Sequence, residues 1–114
     1  MPYLKIQTNL PHLKQTGRGL LKEASALIAR ELEKPEAYVM VALEDNTPMT
    51  FAGSDDPAAF LELRAIGLPK KKNRQLCQVL CELVNRHLGV PPERIFVNFA
   101  DIPPSDWGWK GDTL

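Results

Sequence analysis

The chain is expected to adopt an α+β fold in which two pseudo-symmetric βαβ units form a four-stranded mixed sheet with two helices on one face. Three observations carry that expectation. First, the sequence repeats at an offset of 57 residues: Pro2-Tyr3-Leu4-Lys5-Ile6-Gln7 lies over Ala59-Phe60-Leu61-Glu62-Leu63-Arg64, and Pro35-Glu36-Ala37-Tyr38-Val39-Met40-Val41 over Pro92-Glu93-Arg94-Ile95-Phe96-Val97-Asn98. Second, a helical apolar stripe runs between the members of each matched pair. Third, Pro35 closes the first stripe, and Gly89 with Pro91-Pro92 closes the second, because proline cannot continue a helix. The repeat covers about residues 2–44 and 59–101 of a single 114-residue domain.

In chain order, the first strand is expected near Pro2–Thr8. A helix follows from about Leu13 to Leu32, with Leu20, Leu21, Ala24, Leu27, Ile28 and Leu32 on one face. The second strand falls near Tyr38–Glu44. Asn46–Pro57 is polar and loop-like. The third strand lies near Phe60–Ile66, and a second helix runs from about Lys71 to Leu88 with Leu76, Leu80, Leu83, Val84 and Leu88 inward. The last strand spans about Ile95–Ala100. Right-handed crossovers put both helices on the same side of the sheet. The other face is left bare, carrying alternate residues such as Lys5 or Leu4, Val39 or Met40, and Phe96 or Val97. An apolar bare face needs a partner, so an oligomer is expected.

Charge excludes some functions. Lys+Arg and Asp+Glu each number 14, so no cationic excess exists to face a nucleic-acid backbone. No apolar run approaches the ~20 residues of a membrane span. No signal-peptide pattern opens the chain, so a cytoplasmic protein is expected, with release by another route left open. Cys77 and Cys81 stand i,i+4 in the second helix and read as small apolar residues. His12 and His87 stand alone and read as surface residues. No metal or cofactor is implied.

Chemistry is expected at Pro2. Removal of Met1 would leave a secondary amine at the sheet edge, and desolvation with a nearby cation lowers an amine below its ordinary value near ~8. A neutral amine at pH 7 is a general base. Lys34, at the turn out of the first helix, either caps the last carbonyls or supplies that cation. Asn98 interrupts the apolar run Ile95-Phe96-Val97-Asn98-Phe99, and its amide either faces solvent or bonds a substrate oxygen. Ile66-Gly67 ends the third strand with a backbone N–H that can donate.

These residues resemble the macrophage migration inhibitory factor family of the tautomerase superfamily from Pro2 to about Thr113. The matching pieces are the Pro2 strand with Thr8-Asn9-Leu10-Pro11, Lys34-Pro35 followed by Tyr38, Met49-x-Phe51-x-Gly53-Ser54, Ile66-Gly67, Asn73-Arg74, Glu93-Arg94-Ile95, Asn98 and Gly108-Trp109. Their order and spacing are specific where each alone is weak. The resemblance implies a homotrimer with a pocket at each subunit interface and keto–enol tautomerase activity on phenylpyruvate-type α-keto acids or dopachrome-like compounds. It implies that Pro2 is the base and that Lys34 and the Ile66 N–H hold the carboxylate. Asn98 of the adjacent subunit would hold a substrate oxygen, with Tyr38 and Trp109 as apolar walls and Phe96 packing against an aromatic substrate.

The chain departs from the family at several points. Phe96 stands where the vertebrate cytokines carry tyrosine, so its ring has no hydroxyl to donate. Trp107 replaces a small aliphatic residue at the pocket rim, and Leu114 replaces a terminal aromatic. Ala58 and Leu61 occupy the positions of the cytokine CxxC, so thiol oxidoreductase chemistry is not expected. The basic run Lys70-Lys71-Lys72 with Arg74 reads as a solvated helix start or as an anion or partner site. Two other functions compete. One is a cytokine-like binding protein with a protein receptor. The other is dehalogenation or hydration at an activated double bond, for which Arg64 is the one candidate side chain.

Overall fold

A computed structural model describes residues 1–114. In chain order the elements are β1 (Pro2–Thr8), α1 (Lys14–Leu32), β2 (Met40–Glu44), β3 (Ala59–Ala65), α2 (Asn73–Leu88), β4 (Ile95–Asp101) and a terminal hairpin of β5 (Gly108–Trp109) and β6 (Asp112–Thr113). The four long strands form one sheet in the order β2-β1-β3-β4. Its outer pairs, β1–β2 and β3–β4, are parallel, and the central pair, β1–β3, is antiparallel. That is the expected mixed sheet.

Period-two alternation sorts the strands onto two faces. Leu4, Ile6, Leu61 and Leu63 are fully buried and join Leu20, Ile28, Leu76, Leu80, Leu83 and Val84 of the helices in one core. Leu4 pairs with Leu63 and Ile6 with Leu61, which places a two-fold axis between the central strands. Helix α2 follows a short 3₁₀ turn, Lys70–Lys72. The basic run therefore precedes the α-helix, where a helix start near Lys71 was expected. A second 3₁₀ turn, Glu36–Tyr38, holds Tyr38 out of β2, with Tyr38 N–H donating to Pro35 C=O at 3.1 Å.

The bare face is more polar than expected. It carries Lys5, Met40 and Phe96 of the paired alternatives, with Glu62, Arg64 and Asn98 beside them. Lys5 and Glu44 form an ion pair at 2.8 Å across β1 and β2. The most exposed large apolar side chains of this face, Met40 and Phe96, stand on the two edge strands.

The two halves are offset differently in their first and second strands. The 3₁₀ turn at Pro92–Arg94 is capped by Pro91, as the turn at Glu36–Tyr38 is capped by Pro35. Pro35 therefore matches Pro91, one residue earlier than the dipeptide Pro-Glu suggests. Val41 consequently matches Val97 and not Asn98. A one-residue slip exchanges the faces of a strand, and so Asn98 faces outward. His87 is also not a lone surface residue: its Nε2 lies 3.0 Å from Glu23 Oε1, joining α2 to α1. Arg86 chelates the same carboxylate, and with His87 it pulls the Glu23 pKa down to about 2.

Candidate active site

Helix α1 ends at Leu32, and Glu33 adopts the left-handed conformation at φ 53°. Its N–H and that of Lys34 turn back onto the helix, Lys34 N–H donating to Ala29 C=O at 3.0 Å. This closure reverses the chain beside the start of β1, where Pro2 pairs with Ala65 of β3. Pro2 is buried there.

Two spaces meet at this point. The first is a cavity of about 90 Å³ lined by Met1, Pro2, Lys34, Ile66, Gly67 and Lys72 among others. The second is an open groove of about 500 Å³ lined by Met1, Pro2, Tyr3, Tyr38, Met40, Trp107 and Trp109. The first is small and cationic, and the second is largely apolar and aromatic. Tyr38 and Trp109 meet edge to face, with centroids 5.7 Å apart and planes at 87°. The Lys110 ammonium sits 4.4 Å above the Trp109 ring. The hairpin β5–β6 is what presents Trp109 to the groove, and no alternation in the sequence marked it as strand.

The turn after β3 supplies a donor. Asp101 Oδ1 accepts the N–H groups of Gly67 and Leu68 at 3.0 and 3.1 Å. The Ile66 N–H, between them and the strand, donates to nothing within the chain. A free amide in a cavity wall is ready for a ligand oxygen. The chain's α-amino group, that of Met1, is held below its ordinary value of 8.0, by burial first and by the Lys34 charge second.

Pro2, Lys34, Ile66, Tyr38 and Trp109 thus converge, as does Trp107. Phe96 and Asn98 do not. Phe96 packs at the far end of the sheet against Phe51 (4.6 Å) and Phe60 (6.4 Å) in a groove of about 370 Å³. Asn98 faces out from β4 beside Glu62. Arg64 is exposed on the same bare face, across from Tyr3, and lines neither space. Lys72 was noted in the sequence only as one of a basic run, yet it alone of the three lines the cavity. Its partner there, Glu31 C=O at 2.6 Å, lies 41 residues away in the chain, and no local pattern signals that contact.

Fold and site together define a duplicated βαβ protein with a cationic, aromatic-walled pocket at the start of its first strand. Comparison with known proteins gives that class its family. The sequence model described as "Macrophage migration inhibitory factor (MIF)" matches residues 1–114, and the chain belongs to that family. It is 38% identical over 115 aligned residues to a macrophage migration inhibitory factor homolog of Trichuris trichiura, covering all of both chains. It is 35% identical to macrophage migration inhibitory factor of Meriones unguiculatus, over all of this chain and 99% of that protein. The crystal structure of a homologue from Prochlorococcus marinus superposes with a TM-score of 0.93 at 36% identity, covering 97% of each chain.

Proposed function

We propose that this protein is a keto–enol tautomerase of the phenylpyruvate or dopachrome type, with Pro2 as its general base once Met1 is removed. The observation that supports the reading most is the meeting of the two spaces at Pro2. An aromatic α-keto acid has an anionic end and a flat apolar end, and the cavity and groove offer one environment for each. The carboxylate would take the Lys34 ammonium and the free Ile66 N–H. The ring would lie between Tyr38, Trp107 and Trp109.

The chemistry is a proton relay. The neutral Pro2 nitrogen removes the proton from the carbon α to the carbonyl, electron density moves to the carbonyl oxygen, and the same proton is returned there as the enol forms. Burial and Lys34 lower the Met1 amine in the intact chain, and the same two causes would act on the Pro2 nitrogen, one residue on, in the direction that keeps it neutral. Amine and donors suffice for this step, so no cofactor or metal takes part in it. A homotrimer built on the bare sheet face would cover Met40 and Phe96, and would bring Asn98 and Phe96 of a neighbouring copy toward this pocket.

Replacing the base gives the test. Pro2→Gly is expected to lower phenylpyruvate ketonisation by roughly 10²–10⁴-fold without changing the circular-dichroism spectrum or the sedimentation coefficient. An unchanged rate in the folded variant would remove Pro2 from the mechanism.

A further inference from the structure

We infer that Lys72 is a second cation of the substrate site and that it tunes the small cavity to a doubly charged anionic head group. Building on the proposed enolising pocket, the inference specifies which anion that pocket prefers. It starts from the 3₁₀ turn Lys70–Lys72, which points one lysine of three inward. Lys70 and Lys71 are exposed, whereas Lys72 is half-buried and lines the cavity with Pro2 and Lys34.

Its position is fixed from outside the ligand. Lys72 Nζ donates to Glu31 C=O at 2.6 Å, at the carboxyl end of α1. Gln75 Nε2 donates to the Glu31 carboxylate at 2.7 Å, holding the same residue from one turn further along. An ammonium has three donors. One is spent on Glu31, and two remain for the cavity. No carboxylate side chain pairs with Lys72 or Lys34 within 4.0 Å, since the ion pairs of the molecule are Lys5–Glu44, Arg86–Glu23 and His87–Glu23. Glu33 is the one acidic residue on the cavity wall.

Two unpaired ammonium groups and one free amide N–H around about 90 Å³ exceed what a single carboxylate requires. A carboxylate is satisfied by Lys34 and the Ile66 N–H alone. A phosphonate, a phosphate ester or a dicarboxylic keto acid brings a second charge and further acceptor oxygens, and Lys72 is where they would go. The aromatic groove stays available to the rest of such a molecule. The substrate class that fits is therefore a keto or enol compound whose acidic end carries two negative charges, in preference to a monoanionic arylpyruvate.

Equilibrium binding of two unreactive probes to the full chain tests this at pH 8. Phenylphosphonate presents a dianion and benzoate a monoanion on the same ring. Wild type is expected to bind phenylphosphonate roughly tenfold more tightly than benzoate, as one added charge pair in a partly exposed site allows. Lys72→Met should lose that preference, Lys72→Arg should keep it, and Lys71→Met, with the same change in net charge, should leave it intact. Equal affinities in wild type, or a preference that survives in Lys72→Met, would overturn the inference. Equal wild-type affinities overturn the inference even if Lys72→Met fails to fold, and Lys72→Gln, which keeps a polar side chain beside Glu31 C=O without the charge, is then expected to lose the preference in its place. Ketonisation by wild type and Pro2→Gly, measured on the same preparations, reports separately on the base. Loss of that chemistry with dianion preference intact would refute the base and not the second cation.

Discussion

The two ends of the central β1–β3 pair are related by the molecule's two-fold repeat, yet one is sealed and the other is open. At the sealed end Ala58 and Ala59, which match Met1 and Pro2, are almost wholly buried, and Val90, which matches Lys34, is fully buried. Polar groups are used up there as well. Thr8 Oγ1 donates to Ala58 C=O at 2.7 Å, and Asn9 bridges to Asp55 and Asp56 C=O and to the Ala58 N–H. Arg94 donates to the carbonyls of Phe51, Ser54, Asp56 and Pro57. At the open end the corresponding positions carry the Met1 amine, held below its ordinary pKa, a free Ile66 N–H and two lysines around a cavity. Duplication produced two equivalent ends, and the segment joining β2 to β3 fills one of them. The difference between a core and a site here is a handful of side chains on one scaffold.

Exchanging residues across the repeat breaks the comparison most severely. Val90→Lys puts the open end's charge into the sealed end, where nothing pairs it. A loss of about 3–5 kcal/mol in urea-unfolding free energy is expected. The reciprocal change, Lys34→Val, removes an exposed charge and should cost under about 1 kcal/mol of stability. Its effect belongs in KM for phenylpyruvate, raised roughly ten- to a hundredfold for a lost charged hydrogen bond. If both substitutions destabilise equally, the two ends are not distinguished in the way described.

A smaller change sharpens the contrast from within the sealed end. Thr8 is fully buried, and its hydroxyl both donates to Ala58 C=O and accepts the Leu10 N–H at 3.3 Å. Thr8→Val leaves both groups without that partner, for an expected loss of about 1–3 kcal/mol in thermal or urea unfolding. Ketonisation per folded molecule should not change, because the open end is untouched.

Much of this was legible in the residues themselves. Alternation in Leu4-Lys5-Ile6 and Leu61-Glu62-Leu63, and the leucine stripes of both helices, report the core because burial acts on every second or every third to fourth side chain. Pro2, Lys34 and Ile66 were legible because the start of β1, the end of β3 and the end of α1 all return to one end of the central strand pair. Other features escaped for physical reasons. The repeat was read one residue out at Pro91-Pro92, since either proline could cap the 3₁₀ turn and only backbone geometry selects the first. Lys72 and His87 act through partners on the other helix, Glu31 and Glu23, and such contacts leave no periodicity. The short hairpin that carries Trp109 is two residues per strand, below the length at which alternation exists.

The most direct test of the open end as the catalytic one is the pH dependence of kcat/KM for phenylpyruvate, in wild type and in Lys34→Met. A base with a lowered pKa is protonated and inactive in acid, so the rate should climb with pH and flatten at a midpoint below the ordinary 8.0 of an α-amino group. Removing the Lys34 charge takes away one cause of the lowering, and the midpoint should move up toward that value. A profile that is flat from pH 5 to 9, or a midpoint that ignores Lys34, would contradict the account.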